Sequence, residues 1–387
     1  MPSRYSAAIV GCGDIGHAHV AGYRLNPEIE LVAVVDPVEP ARGQFQREYG
    51  IPLSYASMRE LFDEFVPDLV SICVWHPLHA ELTIQAAAAG VRGLICEKPM
   101  ATSLGDADAM ITACEASGTK LVVSHQRRFT PGWEAARSLI AAGEIGPLSF
   151  LRASAADGLL NGGTHVVDGL RFLAGDPEPR WVIGALERAT NRYERGTPIE
   201  DWMLLFCELD GGVEMFVETD VHGWGEQDGI LLRAQGREGL VEATEGRAAV
   251  LCSGSKGWQQ VQHIDHVDAI GGRANGRLVA ELVRWLEGGP EHRCSARLAR
   301  STTEIMMAAY QSARRREKIA LPLLEPDYPL KAMITGGELV LKDEQRYDIR
   351  SYLRREVIDE ARYVELRAQG IGHHQIMRIL GDTRLVQ

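Results

Sequence analysis

The chain has 387 residues, with 41 Lys+Arg against 53 Asp+Glu and a formal net charge of -12. A hydrophobic fraction of 45% beside 24% charged residues excludes a largely disordered chain, and the acidic balance speaks against a nucleic-acid or anionic-membrane surface. At roughly 100–200 residues per domain, the length suggests two domains plus an appendage.

Seven cysteines (Cys12, Cys73, Cys96, Cys114, Cys207, Cys252, Cys294) are odd in number and form no C-x-x-C pair. A disulfide framework or a structural zinc is therefore not expected, and a reducing, cytoplasmic compartment is. The first apolar run, Ala7–Val10, is too short for a signal-peptide core. No uncharged run approaches the about 18 residues of a membrane span.

Short β-branched runs predict strands at Ala7–Val10, Leu31–Val35, Leu69–Val74, Gly93–Glu97 and Lys120–Ser124. Between them, helical periodicity covers Asp14–Leu25, Ser57–Phe65, Leu78–Ala89 and Leu104–Ala116, with Ser57 and Glu60 spaced as a capping box. Strand-helix alternation with nearly continuous apolar strands predicts a doubly wound parallel sheet, a Rossmann domain over residues 1–125. After Gly146-Pro147 the pattern changes. Strand-like runs at Pro198–Glu208, Val213–Asp220, Gly229–Ala234, Gly239–Ala243 and Ala248–Cys252 follow one another without helices. They predict an α+β second domain, residues 126–330, on an open, mostly antiparallel sheet, closed by helices near Arg273–Glu287 and Ala296–Glu317.

Residues 331–387 form an extension, with helical patterns from Ile349 to Ala368 and on to Leu380. Gly370 gives the last part a helix-turn-helix look. Asp343–Gln387 holds eight Arg and eight Asp/Glu, without the net positive charge that a DNA reader uses. The extension therefore reads as packing or oligomer-forming.

Gly11-Cys12-Gly13-Asp14-Ile15-Gly16 is a G-x-G-x-x-G that follows a strand and opens a helix. Gly11 suits the tight turn, Gly13 lets the backbone approach a pyrophosphate, and Gly16 lets helix and strand pack closely. Amides at the helix start, Asp14 and Ile15 included, would face the phosphates. Asp36 ends the second strand twenty residues after Gly16, where a carboxylate accepts from ribose hydroxyls and repels a 2′-phosphate. NAD is thus preferred over NADP, with Arg42 as the one reservation. Glu97-Lys98-Pro99 ends the fourth predicted strand, at the carboxyl edge where ligands sit in open α/β sheets.

These segments resemble the glucose-fructose oxidoreductase/inositol dehydrogenase/rhizopine catabolism (Gfo/Idh/MocA) family. The resemblance rests on Gly11–Gly16 and Asp36, on Leu78-His79-Ala80-Glu81 and Glu97-Lys98-Pro99-Met100-Ala101, on Arg127-Arg128-Phe129-Thr130-Pro131, and on Gly162-Gly163-Thr164-His165-Val166-Val167-Asp168. It covers roughly residues 5–325. It implies an NAD(P)-dependent oxidoreductase acting on a secondary alcohol or ketone of a sugar, inositol or related polyol. By the same resemblance Lys98 is the active-site lysine, His165 the catalytic histidine, and Arg127 and Arg128 a basic pair near cofactor or substrate. His79 and Glu97 fall at the cofactor, and Asp168 is a structural aspartate. A homo-oligomer, dimer or tetramer, is expected.

The chemistry suits these residue types independently. Taking a hydride from an alcohol carbon requires a base for the hydroxyl proton, and imidazole serves at neutral pH. An ammonium beside the oxygen stabilises developing alkoxide. Two departures stand out. Asn161 occupies the position where members carry an aspartate, four residues before the histidine. Val74-Trp75-His76 replaces a usual Thr-Pro-Asn, which would reshape the cofactor and substrate entrance.

Tyr193, His222 and Trp224 are candidate sugar-contacting residues on the open sheet face. His263 and His266, among Asp265 and Asp268, have H-x-x-H spacing, but the sequence offers no further ligand set and no metal is expected. Two other functions fit the pattern: a redox-neutral enzyme that oxidises, cleaves or eliminates and then re-reduces a glycoside, and a non-enzymatic NAD- or sugar-sensing regulator.

Overall fold

The computed structural model describes residues 4–221, 230–265, 267 and 271–381. The first domain carries strands β1 (Tyr5–Val10), β2 (Ile29–Val35), β3 (Leu53–Tyr55), β4 (Leu69–Ile72), β5 (Gly93–Cys96) and β6 (Lys120–Val123). They form one parallel sheet in the order β3-β2-β1-β4-β5-β6. Helices α1 (Asp14–Tyr23), α2 (Glu39–Tyr49), α3 (Met58–Glu64), α4 (His79–Ala88) and α5 (Leu104–Ser117) connect the strands. β1, β4 and β5 are buried almost throughout, as two-sided parallel strands must be. Ser57 caps α3 by accepting from the Glu60 amide, as the capping box predicts, while Glu60 reaches one residue further back, to the Ala56 amide. α2 and β3 carry no clear sequence signal: α2 buries only Ala41, Gln44 and Phe45, and β3 spans three residues.

The second domain begins with α6 (Pro131–Ala141), β7 (Leu148–Ala155), α7 (Thr164–Ala174) and β8 (Pro179–Glu187). Then come β9 (Thr190–Glu194), β10 (Thr197–Pro198), β11 (Trp202–Leu209), β12 (Val213–Thr219), β13 (Leu232–Gly236), β14 (Gly239–Ala243), β15 (Arg247–Cys252) and β16 (Gln259–His263). Helices α8 (Gly272–Leu286) and α9 (Ala296–Arg315), strand β17 (Ile319–Ala320) and helix α10 (Pro329–Thr335) complete it. Nine strands make one mixed sheet, β16-β15-β14-β13-β7-β12-β11-β8-β17, antiparallel everywhere except the β7–β12 pair. The expected strand Pro198–Glu208 divides into β10 and β11, because Glu200 turns inward to accept from the Leu159 amide and the Tyr310 hydroxyl.

Along β11, Met203, Leu205, Cys207 and Leu209 are buried, while Trp202, Leu204 and Phe206 alternate with them, half-exposed. One face of the sheet therefore packs on α6, α7 and α9, and the other stays open. α8 crosses back to the nucleotide domain, where Asn275 seats against Gly22 of α1: a Cβ on Gly22 would lie 2.6 Å from the Asn275 Cβ.

The extension differs from the helix predicted over Ile349–Ala368. It starts as strand β18 (Asp343–Asp348), parallel to β9 in a small β10-β9-β18 sheet, and passes through two single 3₁₀ turns. Only then does it form helices α11 (Glu360–Ala368) and α12 (His373–Leu380). The Arg- and Glu-rich composition suits a helix, but Asp359 caps α11 by accepting from the Arg362 amide and so fixes its start late. Among the described residues, no helix is long and apolar enough to cross a membrane.

Candidate active site

The strand order reverses between β1 and β4, and the site lies outside their carboxyl ends. Gly11 has φ +99°, and a Cβ there would lie 2.4 Å from the Cys73 carbonyl oxygen. On Gly16 it would lie 2.3 Å from the Gly11 carbonyl oxygen. Both glycines are demanded by the chain's own packing. Gly13 differs: nothing lies within 4 Å of its absent Cβ, and no side chain caps the α1 start. That leaves first-turn amides facing open space, which suits a phosphate.

Asp36 accepts from the Cys12 amide (2.8 Å) and the Val38 amide (2.8 Å), one on each oxygen. Lone pairs remain for ribose hydroxyls. Arg42 turns to the Asp36 and Pro37 carbonyl oxygens, at 3.0 and 3.1 Å.

A cavity of about 300 Å³ opens beside the glycine loop. Gly13, Asp14, Ile15, Trp75, His76, Glu97, Lys98, Asn161 and His165, all expected at the site, line it together. Glu97 is buried and accepts from the His19 ring (2.9 Å) and the Lys98 amide (3.1 Å), which fixes the chain where the lysine emerges. Lys98 Nζ donates to Asn161 Oδ1 at 2.9 Å. Burial, and then the Arg195 guanidinium beside it, pull the Lys98 amine down to about 8.

Asn161 sits in a wide turn, Leu159–Gly163, that runs directly into α7. Gly162 allows the turn to close: a Cβ there would lie 2.0 Å from the Ala156 carbonyl oxygen. His165 follows in the first turn of α7, buried, with an Nδ1 that has no hydrogen-bond partner among the described residues. Burial, followed by the nearby Lys98, Arg127 and His125, holds its pKa well below the usual imidazole range. The ring is neutral at physiological pH. Gln126 also lines the cavity, and its Oε1 is likewise buried without a partner. An open glycine face, uncapped amides and orphaned polar atoms fit a dinucleotide and a hydroxylated ligand.

Residues 5–125 match an oxidoreductase family with an NAD-binding Rossmann fold, Gfo/Idh/MocA. The chain is 27% identical over 365 residues to D-apiose dehydrogenase of Paraburkholderia graminis, spanning 86% of this chain and 94% of that one. It is 27% identical over 315 residues to inositol 2-dehydrogenase 3 of Saccharopolyspora erythraea, spanning 73% and 86%. A solved levoglucosan dehydrogenase, in complex with NADH and levoglucosan, shares the fold at TM-score 0.73 and 20% identity, over 82% of this chain and 100% of that one.

The nucleotide domain belongs to the Gfo/Idh/MocA oxidoreductase family.

Other expected residues stand apart from the cavity. His79 is buried, with its ring nitrogens 2.8 Å from the Pro99 carbonyl oxygen and 3.1 Å from that of Val74, so it ties two loops together. Arg128 is fully buried. It holds both Asp168 oxygens at 2.7 Å and Asp176 at 2.7 Å, a structural cluster rather than a substrate contact. Asp168 lies in that cluster, also 3.4 Å from the His125 ring. Arg127 pairs with Glu245 and does not line the cavity, though its charge is among those that lower the His165 pKa. Tyr193 lies in β9 with the Arg346 guanidinium 4.0 Å over its ring, away from the cavity. His222 and Trp224 lie outside the described residues, as do His266 and Asp268 of the H-x-x-H segment; His263 pairs with Asp265 at 2.7 Å.

Several lining residues lie in no recognisable sequence pattern. Arg195, at the tip of the β9–β10 hairpin, has φ +48° and faces the cavity beside Lys98. Asp348 of β18 holds that tip by accepting from the Arg195 (3.1 Å) and Gly196 (2.7 Å) amides. Arg350, Leu353, His373, His374 and Arg378, all from the extension, complete the wall. Contacts across more than 150 residues of chain leave no local pattern to read.

Proposed function

We propose that the protein is an NAD-dependent dehydrogenase of a secondary alcohol, or the corresponding ketone, on a sugar, inositol or glycoside. The observation that carries this reading is the meeting of Lys98, Asn161 and His165 in one cavity with the glycine loop. The relatives named above, an apiose, an inositol and a levoglucosan dehydrogenase, support the substrate class. Asp36, with Arg42 turned to the backbone carbonyls of Asp36 and Pro37, supports NAD over NADP.

Gly11, Gly13, Gly16 and Asp36 would hold the dinucleotide, whose nicotinamide supplies the hydride acceptor when bound. Lys98 donates a hydrogen bond to the reacting oxygen and, as an ammonium, stabilises alkoxide character. Neutral His165 is the general base that takes the hydroxyl proton on oxidation. Asn161 keeps Lys98 in place through a neutral amide, so the site carries no carboxylate there to raise the basicity of His165.

The open sheet face, with half-exposed Trp202, Leu204 and Phe206, supports assembly into a homo-oligomer. All seven cysteines are unpaired, which supports a reducing compartment. The test is incubation with NAD or NADP and a panel of sugars and cyclitols. NADH formation with at least one polyol is expected, and absence of turnover with every one, in either direction, would defeat the proposal.

A further inference from the structure

We infer that residues 343–381 form the outer wall of the dinucleotide site, a strap that holds the bound cofactor and must lift to release it. This rests on the dinucleotide lying along the glycine loop. The strap is anchored on both domains. On the substrate side, β18 pairs with β9 and Arg350 forms an ion pair with Asp157. On the nucleotide side, His374 Nδ1 lies 3.2 Å from Asp14 Oδ2, Arg355 donates to Gln44 Oε1 at 3.0 Å, and Arg367 pairs with Glu48. Arg354 lies 5.5 Å over the Trp75 ring.

The two sides differ in kind. Strand pairing fixes the strap to the second domain, whereas side chains alone hold it to the first. Tyr352, Tyr363, Leu366, Ile376 and Met377 form a separate small core within the strap. The segment therefore keeps its shape when the side-chain contacts break, and it lifts as a body from the β18 end.

The inner face of the strap suits what it covers. Gly13, Asp14 and Ile15 line the cavity together with Leu353, His374 and Arg378. Arg378 has no carboxylate partner among the described residues, its Nε resting 3.1 Å from His374 Nε2. A guanidinium without a counter-charge, in one cavity with uncapped helix amides, matches a pyrophosphate. At the other end Glu356 and Arg355 stand beside Pro37 and Val38, next to Asp36.

The experiment uses the full chain and measures NADH dissociation by stopped-flow nicotinamide fluorescence. Arg367→Glu breaks an ion pair outside the cavity and is expected to speed release about threefold or more; Glu48→Arg in the same chain restores slow release. Arg378→Ala with His374→Ala is expected to weaken NADH binding about tenfold. Unchanged release in Arg367→Glu, together with unchanged affinity in the double variant, would overturn the strap while leaving the dinucleotide site intact. A wild-type protein that binds neither NADH nor NADPH would overturn both.

Discussion

The Nζ of Lys98 donates to Oδ1 of Asn161 at 2.9 Å, four residues ahead of His165. The family resemblance implies a carboxylate at that position, and an amide changes the electrostatics more than the shape. Without the negative charge, burial and the neighbouring Arg195 prevail, and the amine titrates at about 8.

Oxidation needs neutral His165 to take the hydroxyl proton and the Lys98 ammonium to hold the developing alkoxide, and both forms are present near neutrality. The lowered pKa of Lys98 means the ammonium is present below about 8 and is lost above it. The rate of oxidation, as kcat/KM, should be level from neutrality to about pH 8 and fall about tenfold per unit above it. A profile that stays level to pH 10 in the same assay, or rises through pH 8, would contradict this assignment.

Asn161→Asp restores the carboxylate beside Lys98. A negative charge at hydrogen-bond distance favours the ammonium, so the alkaline limb should move up by about one unit or more. A pH profile of the variant checks it, and an unmoved limb would separate Asn161 from the proton chemistry.

Removing the imidazole by His165→Ala should lower kcat roughly 10²–10⁴-fold while NADH binding stays near wild type, because His165 lies beyond the glycine loop. Steady-state kinetics beside a fluorescence titration distinguishes a lost base from a collapsed site.

Glu356 adds a second carboxylate beside Asp36, and the pair should reject a 2′-phosphate more strongly than one. Glu356→Gln should shift the NAD-to-NADP ratio of kcat/KM toward NADP by about fivefold. Parallel assays with the two cofactors measure the shift.

Asp168→Ala leaves the Arg128 guanidinium buried with only Asp176 against it. Breaking such a pair costs about 3–5 kcal/mol, so denaturant titration should show a loss of that order. Asp168→Asn, which keeps one acceptor, should lose less.

The nucleotide domain was legible because its strands are short continuous apolar runs and its glycines have fixed geometric tasks. Gly11 and Gly16 are forced by contacts at 2.4 and 2.3 Å, while Gly13 is left open, the division that the motif itself suggested. Lys98, Asn161 and His165 could be singled out because each lies in or beside a segment that carries the family resemblance, and the three line one cavity. Arg195 and His374 could not. One sits on a hairpin tip with positive φ that Asp348 holds from far along the chain, and the other reaches Asp14 only through the folded extension. The extension was misread as helical from Ile349 for a related reason. The residues after β18 pass through two 3₁₀ turns and are tied down by Arg350 to Asp157 and by Arg355 to Gln44, tertiary contacts that outweigh helix propensity.

The proposed hydride chemistry, with Lys98 and His165 acting beside a bound dinucleotide, needs both side chains within one turnover. It is tested most directly by a single turnover, in which enzyme saturated with NAD is mixed with an accepted polyol and reduced nicotinamide is followed by its fluorescence. The wild type should give one reduced nicotinamide per site, and Lys98→Met and His165→Ala should each slow that phase at least about a hundredfold. A phase of undiminished rate in both variants would contradict the account.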